Sequence, residues 1–216
     1  MLGAITVTGM TSIESVTLEV DDPAAAERFY SSAFDLGPRL RLRESDAPSS
    51  GFRGYTLSLL VSQPSTVNAL IDSAVAAGAT PLKPAARSMW GYGGVVRAPD
   101  GAIWTVATSA KKDTGAATRA IDQMVLLLGS GDVALSKRFY IERGLPVGKS
   151  FGRMYVEFDT PSSPIKLALN GRRALAKNAG VAPEGEGSHR LVIDGGPGTG
   201  SFTDPDGFQW GQQQNA

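Results

Sequence analysis

The chain has 216 residues, with 21 Lys and Arg balanced by 21 Asp and Glu, a single His and no Cys. The balance removes the general attraction that nucleic acid and anionic membranes depend on, and the missing Cys excludes disulfides, thiolate metal sites and a Cys nucleophile. One imidazole, His189, excludes any mechanism that needs two from one chain.

No apolar run approaches the ~20 residues of a membrane span, and residues 1–10 lack the basic and apolar regions of a signal peptide. A cytoplasmic protein with no membrane or nucleic-acid partner is expected. Alternation predicts a half-buried strand over 12–20, with Val16, Leu18 and Val20 on one face and Ser15, Thr17 and Glu19 on the other. Asp22 reads as an N-cap with Pro23 at the first helical position. Ala26, Phe29, Tyr30, Ala33 and Phe34 then form one helical stripe, stopped by Gly37 and Pro38. Strands are expected over 40–43 and 56–61. Pro64 opens a second helix with Val67, Leu70, Ile71, Ala74 and Val75 inward and Gly78 at its end. Short strands over 81–85, 94–98 and 102–107 follow, the last two joined at Pro99-Asp100-Gly101. Residues 109–118 are polar and small and read as a linker.

After the linker the pattern restarts. A strand over 123–128 precedes a helix capped by Asp132 that carries Leu135, Phe139 and Tyr140 and ends at Gly144 and Pro146. Strands over 154–158 and 165–169 turn at Thr160-Pro161-Ser162. One or two helical turns are expected over 172–178, then a strand over 189–193, a Gly-rich loop over 195–200, and a last strand over 208–211. Arg28-Phe29-Tyr30 returns as Arg138-Phe139-Tyr140, and Pro99-Asp100-Gly101-Ala102-Ile103-Trp104 returns as Pro205-Asp206-Gly207-Phe208-Gln209-Trp210. Two matched motifs in matched order mark an internal repeat.

These motifs resemble the vicinal-oxygen-chelate superfamily of glyoxalase, bleomycin-resistance and extradiol-dioxygenase proteins. The resemblance covers residues 10–108 and 119–212. It implies an α+β fold: two tandem glyoxalase-like domains of βαβββ units, forming curved mixed sheets around a cleft with helices on the outer face. The span from Leu40 to Thr56 is short for two strands, and no clear helix lies between His189 and Asp204. Shortened units are expected there.

Metal-dependent members place a His or Gln on a first strand, often a His on a later strand, and a Glu after the closing Trp, around a divalent ion. The matching positions are Ser15, a site near Thr56, and Thr105 in the first half. In the second half they are Gln123, His189 and Gly211. Two neutral ligands without a carboxylate suit a hard cation poorly; Glu157, on a neighbouring strand, is the one acid at hand. His189 reads first as a lone hydrogen-bonded imidazole in the cleft.

Trp90-Gly91-Tyr92-Gly93-Gly94 offers rings to stack on a flat molecule, or an ordinary aromatic turn. Tyr155, Glu157, Lys166 and Asn170 share a polar sheet face, with Glu157 and Lys166 as a cross-strand pair. The Gly195–Gly200 loop lacks the following helix N-terminus of a phosphate site, and no Gly-x-Ser-x-Gly elbow is present. The reading is a metal-independent, cofactor-free protein, monomer or homodimer, that binds a small molecule such as an antibiotic or aromatic metabolite. Its cleft is expected to hold Ser15, Thr17, Glu19, Trp90, Tyr92, Thr105, Gln123, Tyr155, Glu157 and His189. The alternative is a glyoxalase-, lyase- or dioxygenase-type enzyme using a divalent metal held by Gln123 and His189.

Overall fold

A computed structural model describes residues 12–89 and 91–212. The first strand, β1 (Ile13–Val20), leads into α1 (Pro23–Ala33), which Asp22 caps by accepting the Ala25 N–H at 2.9 Å. A 3-10 turn at Gly37–Arg39 precedes β2 (Leu40–Glu44) and the short β3 (Ser49–Gly51). A complete βαβββ unit follows: β4 (Tyr55–Leu60), α2 (Pro64–Ala76), β5 (Thr80–Ser88), β6 (Gly91–Arg97) and β7 (Ile103–Thr108). A second complete unit is β8 (Gln123–Ser130), α3 (Val133–Glu142), β9 (Val147–Phe151), β10 (Tyr155–Phe158) and β11 (Ile165–Gly171). The chain closes with α4 (Arg172–Ala179), β12 (Gly185–Gly187), β13 (Leu191–Gly195), β14 (Phe202–Thr203) and β15 (Gln209–Gln212).

The two complete units join through antiparallel β4 and β8 into an eight-stranded sheet, β5-β6-β7-β4-β8-β11-β10-β9. The outer units join through β1 and β13 into a five-stranded sheet, β14-β15-β13-β1-β2. Each sheet therefore draws on both halves of the sequence. The outer units are shortened as expected: the chain after β2 is used for β3, which pairs with β12 in a separate ribbon, and β13 reaches β14 without a helix. No helix among the described residues is long and apolar enough to cross a membrane.

Helices α1, α2 and α3 bury most of their stripes, though not Val75 and Leu135, which are exposed, in one continuous core with the facing side chains of both sheets, among them Val16, Leu18, Leu57, Trp104, Leu126, Ile193 and Trp210. Helix α4 is an addition to this pattern. Successive strand residues point to opposite faces. Val96 and Trp104 belong to the main core, whereas their neighbours Val95 and Ile103 form a second cluster with Phe52, Leu175, Ala176 and Ala179. Helix α4 thus sits on the inner face of the eight-stranded sheet. Gly129 on β8 makes room for it, because a Cβ there would lie 3.2 Å from the Arg172 Cα.

The repeated motifs turn out to be structural clamps. Tyr30 Oη donates to Asp100 Oδ2 at 2.6 Å, and Trp104 Nε1 donates to Tyr30 Oη at 3.3 Å. In the second half Tyr140 Oη donates to Asp204 Oδ2 at 2.6 Å, and Trp210 Nε1 donates to Tyr140 Oη at 3.2 Å. Burial, reinforced by the neighbouring carboxylate, pushes both phenols well above the ordinary range and keeps them protonated donors. Aligning the turns by sequence matches Asp100 with Asp206, yet Asp204 holds the tyrosine. Asp206 instead accepts from Ser136 Oγ at 2.6 Å and Gly131 N–H at 2.8 Å, fixing the start of α3.

Residues 109–118 carry no helix or strand, but they are anchored. Buried Gln63 accepts the N–H groups of Thr114 at 2.8 Å and Gly115 at 3.1 Å, and donates to the Ala116 carbonyl at 2.8 Å. Asp113 accepts the Ser65 N–H at the start of α2. In Gln63→Ala the Thr114 and Gly115 amides lose their acceptor, and their hydrogen exchange is expected to quicken by about tenfold or more. Unchanged exchange at both amides would show that other contacts hold the segment.

Candidate functional site

Alternation along β1 puts Ser15, Thr17 and Glu19 on the inner face of the five-stranded sheet. The strand register sets their neighbours. Ser15 faces Asp194, which faces Gly211; Thr17 lies between Arg41 and Val192, which faces Gln209; Glu19 faces Arg43. Asp194 is 8% exposed, and its Oδ2 accepts from Ser15 Oγ at 2.9 Å and Thr17 Oγ1 at 2.8 Å. Glu19 Oε1 accepts from Arg43 at 2.6 Å. A cavity of about 550 Å³ opens beside Glu19, Arg43, Val192 and Gln209, with Ser188 and His189 also in its wall.

The turn ahead of β13 builds that wall. Arg190 takes a left-handed φ of 51°, donates through Nε to the Ala47 carbonyl at 2.9 Å, and pairs with Asp21 at 2.5 Å. The Arg190 guanidinium holds the Asp21 carboxyl below its usual range. His189 lies stacked on Phe208, ring centroids 4.1 Å apart. Its Nδ1 faces the Arg53 carbonyl at 2.5 Å and its Nε2 faces the Asp206 carbonyl at 3.1 Å. Both nitrogens face carbonyl oxygens, so neither is turned toward space where a cation could sit.

The expected cleft is divided between two faces. Ser15, Thr17 and Glu19 belong to the five-stranded sheet, and His189, expected to open a strand, lies in the turn just ahead of β13, which begins at Leu191. Thr105, Gln123, Tyr155 and Glu157 lie on the inner face of the eight-stranded sheet, opposite the core positions Trp104, Met124 and Val156. Gln123 Nε2 donates to the Met124 carbonyl at 3.0 Å. Tyr155 Oη donates to Glu157 Oε2 at 3.1 Å, and burial followed by that carboxylate raises the phenol. Glu157 faces Lys149 and Ala168, so its cationic neighbour is Lys149 Nζ at 3.8 Å and not Lys166. Tyr92 Oη donates to Asn68 Oδ1 at 2.8 Å and so reaches α2 on the helix-bearing side. Trp90 lies outside the described residues.

The residues present do not fit the divalent metal that the resemblance implies. Gln123 opens β8, whereas Gly129 near its far end bonds Gly54 at 2.7 Å. Gly54 in turn abuts the His189 ring, since a Cβ there would lie 3.3 Å from His189 Cε1. About 20 Å of strand therefore separates Gln123 from the neighbourhood of His189, and the two cannot share an ion. Ser15 and Gly211 do meet across Asp194, but Ser15 donates to that carboxylate and Gly211 has no side chain. Among the described residues no three His, Cys, Asp or Glu side chains are grouped to hold a metal.

Arg43, Val192 and Gln209 line the cavity, and Asp194 lies on the same sheet face beneath Ser15 and Thr17; none of the four was in the expected cleft. Extending the alternation of 189–193 by one residue would have set Asp194 beside Val192, opposite Ile193. Nothing local in the sequence shows that β2 lies beside β1 in parallel, which is what brings Arg43 to Glu19.

No protein-family model and no curated protein matches the chain. Solved structures do. A mutant of glyoxalase I from Zea mays aligns over 92% of this chain and 90% of its own, with 14% identity and a TM-score of 0.59. The crystal structure of glyoxalase I from Zea mays aligns over the same shares with 13% identity and a TM-score of 0.57. A candidate dioxygenase from Bacillus subtilis subsp. subtilis str. 168 aligns over 87% of this chain and 70% of its own, with 12% identity and a TM-score of 0.58. At these identities the likeness is one of fold.

Proposed function

We propose that this chain, whose fold is that of the vicinal-oxygen-chelate superfamily, binds a polar small molecule without a metal on the inner face of its five-stranded sheet. The carrying observation is the 550 Å³ cavity over Glu19, Arg43, Val192 and Gln209. Its size falls within the roughly 300–1,000 Å³ of small-molecule sites. The Glu19–Arg43 pair offers a fixed acceptor beside a fixed donor, and Gln209 adds an amide able to do both. Those groups favour a ligand with its own donors and acceptors within the range of antibiotics and aromatic metabolites expected from the sequence. The side chains orient and hold; no nucleophile with a partnered base lines the cavity among the described residues. Both sheets are completed within one chain, so a monomer suffices for the site.

A thermal-shift screen of polar metabolites in excess chelator tests this reading. A ligand at about 100 times its Kd adds ~2.7 kcal/mol, which raises Tm by about 5–10 °C for a chain of this size. No stabilising compound, or stabilisation that appears only after divalent metal is restored, would overturn the proposal.

A further inference from the structure

A second cavity, independent of the first, lies where α4 ends. The inner face of β5, β6 and β7 stays open there as a space of about 300 Å³. Its floor is a square of small side chains: Gly93 is paired with Ala107, and Val95 with Thr105, on adjacent strands. Gly93 keeps that floor flat, because a Cβ would lie 3.0 Å from the Ala107 Cβ. The rim over that floor carries Lys83 of β5 and Asn178 of α4, while Arg87, paired with Tyr92, leaves β5 toward the helix-bearing face at the end of the groove. Lys83 Nζ donates to the Lys177 carbonyl at 2.7 Å, and Arg87 donates to the Lys111 carbonyl at 2.7 Å. Neither cation has an acidic partner, and no Asp or Glu lines the cavity, among the described residues.

A flat floor of small side chains beside a cation with no acidic partner selects one kind of ligand. We infer that this groove binds a flat anion, an aromatic carboxylate or sulfonate, with its ring on the Gly93–Ala107 floor and its charge at Lys83. Lys83 gives up its bond to the C-terminal turn of α4 when it turns to the anion, so the ligand and the helix share one clasp.

Titration of the intact protein with anilinonaphthalene sulfonate, followed by dye fluorescence, tests the inference; uncharged phenylnaphthylamine serves as the comparison probe. The sulfonate is expected to bind saturably with one site per chain. Lys83→Gln should weaken it about tenfold while leaving the uncharged dye unaffected, the loss expected for a charge-assisted contact, and Arg87→Gln, on the other face, should change neither dye. Ala107→Leu, which fills the floor, should weaken both dyes. Lys83 sits at the rim, so its variant keeps the test decisive if Ala107→Leu fails to fold. Non-saturating fluorescence, or sulfonate affinity unchanged in Lys83→Gln, would overturn the inference.

Discussion

Asp204→Ala is expected to cost about 3–5 kcal/mol and to lower Tm by about 10 °C. Asp204 is 5% exposed and accepts three bonds: from Tyr140 Oη at 2.6 Å, Asp206 N–H at 3.0 Å and Phe208 N–H at 2.8 Å. Alanine strands all three donors next to Trp210, which leans on the same tyrosine. Asp100→Ala removes the matching clamp in the first half, but among the described residues Asp100 accepts only from Tyr30 and the Ala102 N–H. Its cost should be the smaller of the two. Denaturant melts of both variants would check the order, and a cost below about 1 kcal/mol for Asp204→Ala would contradict the clamp.

Asp204 also carries a pH signature. Burial, the largest cause, lifts its carboxyl above the usual range despite the three donors around it. The folded chain then holds this proton more tightly than the unfolded chain. The contribution is therefore complete below the unfolded pKa and fades as pH rises through the folded pKa. Asn at this position does not titrate. The deficit of Asp204→Asn against the parent should be larger near pH 3 than near pH 7, about 1.4 kcal/mol for each pKa unit of difference. An equal or reversed deficit would contradict it.

Leu175→Ala is expected to cost about 2–3 kcal/mol and 5–10 °C in Tm. Leu175 is the one large side chain with which α4 enters the second cluster; its companions Ala176 and Ala179 contribute little area. The value falls at the low end for a buried leucine because Arg172 still ties the helix start, donating to the Phe52 carbonyl at 2.7 Å and the Pro183 carbonyl at 3.0 Å. A cost near zero, measured by denaturant melts, would mean that α4 is not seated as described.

Much of the fold was legible from period and punctuation. Val16, Leu18 and Val20 announced β1, and Asp22-Pro23 and Asp132 announced the starts of α1 and α3, where both aspartates cap as expected. The doubled Phe-Tyr and Pro-Asp-Gly-x-x-Trp motifs pointed to the right fold because they build its clamps. Their very role in packing is why they carried no information about ligand. Strand β9 was missed because its Val-Gly-Lys-Ser-Phe run hardly alternates and lies exposed at a sheet edge. The face taken by α4 was hidden for a different reason. Arg172 to Ala179 is polar in composition, and only tertiary context shows Leu175, Ala176 and Ala179 seated on an inner face. The division of the cleft was also beyond local reading, because strand partners from opposite halves decide which polar residues share a face. Alternation put Ser15, Thr17 and Glu19 on one face of β1, as in the structure, though only Glu19 reaches the cavity; Gln123 and His189 were joined only by analogy with metal-dependent proteins.

The most direct measurement is amide chemical-shift mapping by NMR, with a stabilising ligand from the screen titrated into the protein in excess chelator. Saturable shifts centred on Glu19, Arg43, Val192 and Gln209 are the predicted result. Shifts that require added divalent metal, or that centre on Gln123 and Glu157 of the other sheet, would contradict it.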